Sequence, residues 1–156
     1  MDVDMSKVLK ITLLIALLLL IAGGAVFFYF SNNEDPATVK LMTARYYGGL
    51  CADGPCESTS VFYLDGYVEH SNQGRKYYGD DKAKQLQETI EEADYEQLHD
   101  IADGGQCASA YDGTDVEVTF HASSGDQVFD TCTHRLNSKT PLFNAQSAVF
   151  EAANSQ

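Results

Sequence analysis

The chain has 156 residues and a formal charge of −13 at pH 7, from 23 acidic and 10 basic side chains. A surface of that sign repels phosphate backbones and anionic headgroups, so nucleic acid is not an expected partner. Asp2 and Asp4 offset Lys7 and Lys10, which leaves the whole imbalance on residues 31–156, enough chain for one domain with a core.

Residues 1–10 read as a short cytoplasmic segment and residues 11–30 as a single transmembrane helix. From Ile11 to Phe30 there is no charged side chain, and the only aliphatic hydroxyl is Thr12. At about 1.5 Å per residue such a run crosses the roughly 30 Å hydrocarbon layer, so the lipid bilayer is the first expected partner. Phe27, Phe28, Tyr29 and Phe30 gather at its end, where aromatic rings favour the headgroup zone. Lys7 and Lys10 precede it, and Ser31 to Pro36 carries no positive charge, so the positive-inside bias puts Met1 in the cytoplasm and residue 31 onward outside. A cleaved signal peptide is the competing reading: Ile11–Ile21 has the length of its apolar core, and Gly23-Gly24-Ala25 offers small residues for cleavage. Cleavage there would leave Val26 to Phe30 as an exposed apolar terminus, which favours the signal anchor. Either way the domain lies on the non-cytoplasmic side.

Residues 31–37 form a polar linker, and residues 38–156 the extracytoplasmic domain. Thr38 to Tyr47, rich in β-branched and aromatic residues, predicts a first strand that Gly48-Gly49 ends. A loop from Cys51 to Cys56 follows. Thr59 to Leu64 and Tyr67 to His70, joined by Asp65-Gly66, predict a hairpin with a two-residue turn. Ser71 to Gly79 reads as a polar loop or a continued strand. Asp80 or Asp81 is expected to cap a helix to about Ala93, with Leu86, Ile90 and Ala93 on one face and Glu88, Glu91 and Glu92 in water. A shorter helix, Tyr95 to Ala102, turns Leu98, Ile101 and Ala102 inward and stops at Gly104-Gly105. Val116, Val118 and Phe120 alternate with Glu117, Thr119 and His121 in a half-buried strand, and Ser123 to Asp126 turns it back into Gln127 to Cys132. Thr140-Pro141 begins a last helix with the stripe Leu142, Phe143, Gln146, Val149 and Phe150. Strands joined by short turns make the fold class α+β: an antiparallel sheet with helices packed on one face, preceded by the transmembrane helix.

All four cysteines, Cys51, Cys56, Cys107 and Cys132, fall in the exported part, where an even number reads most simply as two disulfides. Three pairings are open. Cys51–Cys56 with Cys107–Cys132 is favoured, because the first closes a short loop containing Gly54 and Pro55. Zinc is disfavoured, since the spacing lacks paired C-x2-C knuckles, and the same absence argues against redox catalysis. No cofactor is expected. Gly-x-Ser-x-Gly is absent, and His70, His99, His121 and His134 lack metal spacing, with His99 and His121 expected on exposed faces. Asp112-Gly113-Thr114-Asp115 has too few oxygens for a calcium loop and reads as a turn, like Asp53-Gly54 and Asp65-Gly66. Adjacent carboxylates such as Asp80-Asp81 and Glu91-Glu92 point in different directions and read as a solvated face.

The tyrosines are the unusual excess. Arg45, Tyr46 and Tyr47, with Arg75, Lys76, Tyr77 and Tyr78, hold three of the scarce bases, and Tyr plus Arg is the composition of binding hot spots. The two segments weakly echo each other, and together they form the candidate binding patch. The competing reading packs the tyrosines in the sheet while the bases reach outward.

Tyr47-Gly48-Gly49-Leu50-Cys51, Gly54-Pro55-Cys56, Val61 to Val68, and Cys107 followed by Tyr111-Asp112-Gly113-Thr114-Asp115 and a hairpin ending at Cys132 together resemble a bacterial family of small envelope domains. The likeness covers most of residues 38–150. It implies an exported or anchored α+β domain with paired cysteines, and no activity. The expected function is a non-enzymatic interaction module of the bacterial cell envelope, facing a partner protein or ligand. The alternatives are an envelope enzyme or enzyme inhibitor with a carboxylate-based site, and a domain whose self-association matters.

Overall fold

The computed structural model describes residues 35–51 and 54–155, with backbone only at residues 50, 51, 54 and 55. Among these no helix is long and apolar enough to cross a membrane; the predicted span at residues 11–30 lies outside them. The compact unit that contains the domain runs from Pro36 to Gln156.

The domain is α+β, with eight antiparallel strands in one sheet and three helices. The strands are β1 (Lys40–Cys51), β2 (Gly54–Tyr63), β3 (Tyr67–His70), β4 (Gly74–Tyr77), β5 (Asp103–Gly104), β6 (Thr114–Ala122), β7 (Gly125–Asp130) and β8 (His134–Arg135). The helices are α1 (Asp80–Glu92), α2 (Tyr95–Asp100) and α3 (Pro141–Asn154). The sheet order is β4-β3-β2-β1-β6-β7-β8-β5, so the two halves of the chain meet where β1 pairs with β6.

Period-two alternation sorts the strand side chains onto two faces. Met42 and Ala44 of β1, Phe62 of β2, Val68 of β3, and Val118 and Phe120 of β6 are buried on one face. Leu86 and Ile90 of α1, Leu98 of α2, and Leu142 and Val149 of α3 join them in a single cluster. Phe62 is wedged edge-on between Tyr78 and Phe150, with ring centroids at 5.4 and 5.0 Å. α3 begins as its sequence requires: the Thr140 hydroxyl accepts from the Phe143 amide at 3.2 Å, and Pro141 occupies the first turn.

Several local expectations are corrected. Gly48 and Gly49 do not end β1. Their positive φ (90° and 73°) lets the chain bulge, the register shifts between Gly48 and Leu50, and pairing continues to Cys51 opposite Gly54. The Cys51–Cys56 segment is therefore the tip of a long hairpin rather than a separate loop. The β2–β3 connection has three residues, Leu64 to Gly66, and only Gly66 has positive φ (76°). Leu64 is drawn away because its amide donates to the Val39 carbonyl at 3.0 Å, while the Gly66 carbonyl accepts from Tyr78. The residue before α1 is Gly79, without a side-chain cap, and Asp80 and Asp81 occupy the first turn, where their charge favours the positive end of the helix dipole. α2 stops at Asp100 and leaves Ile101 half exposed, because Asp103 and Gly104 pair with β8. Gly125 and Asp126 belong to β7, so the β6–β7 turn shrinks to Ser123-Ser124.

Candidate functional site

Cys107 and Cys132 are bonded to each other across the end of the sheet. Cys56 is also disulfide-bonded, and the side chain of its expected partner, Cys51, lies outside the described atoms. Beside the Cys107–Cys132 bridge Asp115 is buried, contrary to a turn role. Its carboxylate accepts from the Ala108 and Ser109 amides at 3.1 and 2.8 Å and from the Thr131 hydroxyl at 3.1 Å. These bonds, led by that of Ser109, hold its pKa below the ordinary carboxylate value. A general acid needs the opposite shift, so Asp115 reads as an anchor for the 3-10 turn at Ala108–Tyr111. Asp112 ends that turn in the left-handed region. Cys107, Asp115 and Cys132 lie close enough to hold a metal ion, but disulfide sulfurs are not thiolate ligands.

The candidate binding patch divides in two. Tyr46 turns to the packed face, half buried against Phe150 at 6.5 Å. Tyr78 is a core residue, 3 % exposed, and its hydroxyl donates to the Tyr63 carbonyl at 2.7 Å. Lys76 shares the packed face at the sheet edge, opposite Val68, and donates to the Gln73 side chain at 3.2 Å. Arg45, Tyr47, Arg75 and Tyr77 all point to the other face. The two weakly similar segments thus each place an Arg-x-Tyr pair there, because residues two apart share a side of a strand.

These two rows lie on the same face but not side by side. β4 and β1 are three strand spacings apart, about 14 Å. Tyr67 on β3 and Tyr63 on β2 extend the Tyr77 row at the Lys40 end of β1, whereas Tyr47 lies level with Glu57 toward the other end of the strand. Tyr67 and Tyr77 are cross-strand partners with centroids at 5.0 Å, 37 % and 41 % exposed. The Arg75 guanidinium lies 4.4 Å over the Tyr67 ring and bonds to Asp65. Arg45 bonds to Glu57 at 2.7 Å and sits over Tyr47. Tyr47 donates to both oxygens of Asp130 at 2.8 Å, and burial together with that carboxylate pushes its pKa up to about 12. Both arginines are therefore held by carboxylates, while Glu117, Asp126 and Asp130 leave the face net acidic.

Two features of this region escaped the sequence reading. His121 is hydrogen-bonded on both ring nitrogens, to Thr43 and to Asp126, each at 2.8 Å. On the packed side of the sheet, His99 is half-buried: it stacks on Phe129 at 4.5 Å and on His134 at 5.2 Å. Only the alternation Thr43-x-Arg45-x-Tyr47 hinted at a polar face on β1. Elsewhere, a shallow cleft of about 350 Å³ between α1, α2 and α3 has Leu98 and Leu142 as its floor and Glu92 and Asp94 at its rim. Compared with protein-family models, with curated proteins and with solved structures, the chain matches none.

Proposed function

We propose that the protein is a membrane-anchored interaction module of the bacterial cell envelope, and that the sheet face bearing Arg45, Tyr47, Tyr67, Arg75 and Tyr77 is its binding surface. The observation that carries this reading is that both Arg-x-Tyr pairs lie on the face opposite the packed core, with Tyr63 and Tyr67 beside the Arg75–Tyr77 pair. Rigid tyrosines offer large contact area at low entropic cost, and the arginines are pre-positioned by their carboxylate partners. The surrounding acids select a protein with a basic surface as the partner. The placement rests on the apolar run at residues 11–30 and the charge bias around it, and is supported by the Cys107–Cys132 disulfide, which belongs in an oxidising compartment. The resemblance to small bacterial envelope domains points the same way. In this arrangement residues 1–10 are cytoplasmic, residues 31–37 link the anchor to the domain, and the domain faces the periplasm or the cell exterior.

The test is affinity capture of the full chain from detergent-solubilised membranes. Tyr67→Ala combined with Tyr77→Ala should lose the partner that wild type recovers, and raising salt should weaken that recovery. Gln85→Ala, on the exposed face of α1, serves as the control. Equal recovery by the double variant and by the control removes this face from consideration.

A further inference from the structure

At the centre of the same face lies a hydrogen-bonded line of three side chains. Thr43 Oγ1 is 2.8 Å from His121 Nε2, and His121 Nδ1 is 2.8 Å from Asp126 Oδ1. The sheet register creates it: Thr43 pairs with Thr119, two residues before His121, and His121 pairs with Asp126 across the β6–β7 hairpin. Its order can be assigned from proton inventory. A carboxylate only accepts, so Nδ1 carries the ring proton; Nε2 of the neutral imidazole then offers a lone pair, and the Thr43 hydroxyl donates into it. That is the sequence nucleophile, base, orienting acid. The other hydroxyl–histidine contact among the described residues is built differently: Ser60 meets His70 Nδ1 at 2.7 Å, but His70 Nε2 is buried with no partner. Thr43 and His121 are half buried and Asp126 is exposed, so the line opens to solvent.

We propose that Thr43 is an acyl-acceptor site, taking an acyl group from an activated ester or thioester. Thr43 Oγ1 attacks the carbonyl carbon while its proton passes to His121 Nε2. The bond from that carbon to the leaving oxygen or sulfur then breaks, and the proton passes on to the departing group. The products are an acyl ester on Thr43 and a free alcohol or thiol, with nothing oxidised or reduced. His121 is the base and Asp126 a positioning residue. β1 is paired on both sides, so its backbone amides are committed to the ladder and do not converge on a developing oxyanion. Without that stabilisation the site transfers once rather than turning over rapidly. This inference does not depend on the partner-binding role.

The experiment incubates the full chain, in detergent micelles, with p-nitrophenyl acetate, followed by denaturation, trypsin digestion and mass spectrometry. Lys40 and Arg45 bracket the peptide Leu41–Arg45, in which Thr43 is the only hydroxyl and no amine or thiol side chain occurs. That peptide should gain one acetyl group about 10²-fold faster than in His121→Gln, the lower end of general-base assistance. Asp126→Asn should slow the gain, and Asp126→Glu should restore part of it. Thr43→Ser should still be labelled and Thr43→Val should not. Acetylation of exposed Lys82 and Lys84 reports reagent delivery and should not change. An unlabelled Leu41–Arg45 peptide alongside labelled lysines overturns the proposal, as does equal labelling in His121→Gln.

Discussion

Tyr77 and Tyr78 are adjacent in sequence and opposite in consequence. Tyr78 is 3 % exposed, its ring meets Phe62 at 5.4 Å and its hydroxyl reaches the Tyr63 carbonyl at 2.7 Å. Truncating a buried aromatic ring costs about 3–5 kcal/mol, and the lost hydrogen bond, about 1 kcal/mol, favours the upper part of that range. Tyr78→Ala should therefore lose about 4–5 kcal/mol, a large share of the roughly 5–15 kcal/mol that stabilises an ordinary domain. Tyr77, 41 % exposed, gives up its cross-strand contact with Tyr67, worth below about 1 kcal/mol, and a hydrogen bond from the exposed Asp80 amide that water can replace. Urea unfolding of residues 36–156 followed by circular dichroism measures both, since every core residue among those described lies within that span. With a urea slope of about 2 kcal/mol/M, the Tyr78→Ala midpoint should fall by about 2 M and that of Tyr77→Ala by less than about 0.5 M. Similar shifts for the two variants would refute the assignment of Tyr78 to the core and of Tyr77 to the open face.

Three further outcomes follow from the same geometry. Thr140→Ala removes the cap on the Phe143 amide and should cost about 1 kcal/mol in the same urea experiment, whereas Thr140→Asp should recover most of it. Replacing Cys107 and Cys132 together by Ala opens a loop with a sequence separation of 25 and should cost about 3 kcal/mol, checked by comparing thermal midpoints. Asp115 has a folded-state pKa below its ordinary 3.8, so its stabilisation is present above that pH and is lost as pH falls through the lower folded value. The stability gap between wild type and Asp115→Asn should accordingly be widest near neutrality and should narrow below about pH 4; a gap independent of pH would mean that the carboxylate's charge is not what anchors the turn.

Much of the α+β architecture was legible because it is written in local periodicity. Val116, Val118 and Phe120 alternate inward, Leu86 and Ile90 recur one helical turn apart, and Thr140-Pro141 states where α3 begins. These signals act within a few residues and need no knowledge of the rest of the chain. The proposed membrane span and the proposed export of the cysteines rest on composition and charge alone. Turn lengths were less legible, since Leu64 left its strand for a bond with Val39 and Gly48-Gly49 extended β1 as a bulge.

The candidate surface belonged to the second category. Tyr46, Tyr47, Tyr77 and Tyr78 are indistinguishable as residue types, and only the phase of each strand sends Tyr47 and Tyr77 to one face and Tyr46 and Tyr78 to the other. Asp115 could be recognised as an anchor only once the folded chain placed the Ala108 and Ser109 amides and Thr131 around it. The Thr43–His121–Asp126 line joins residues 78 positions apart through the β1–β6 register. Sequence alone determined the segments that carry their own period, such as β6, α1 and α3, but not the two-residue strands β5 and β8, which exist only through their pairing. Which side chains meet was decided only when the two halves of the chain paired at the centre of the sheet, since a shift of one residue there would exchange the two faces.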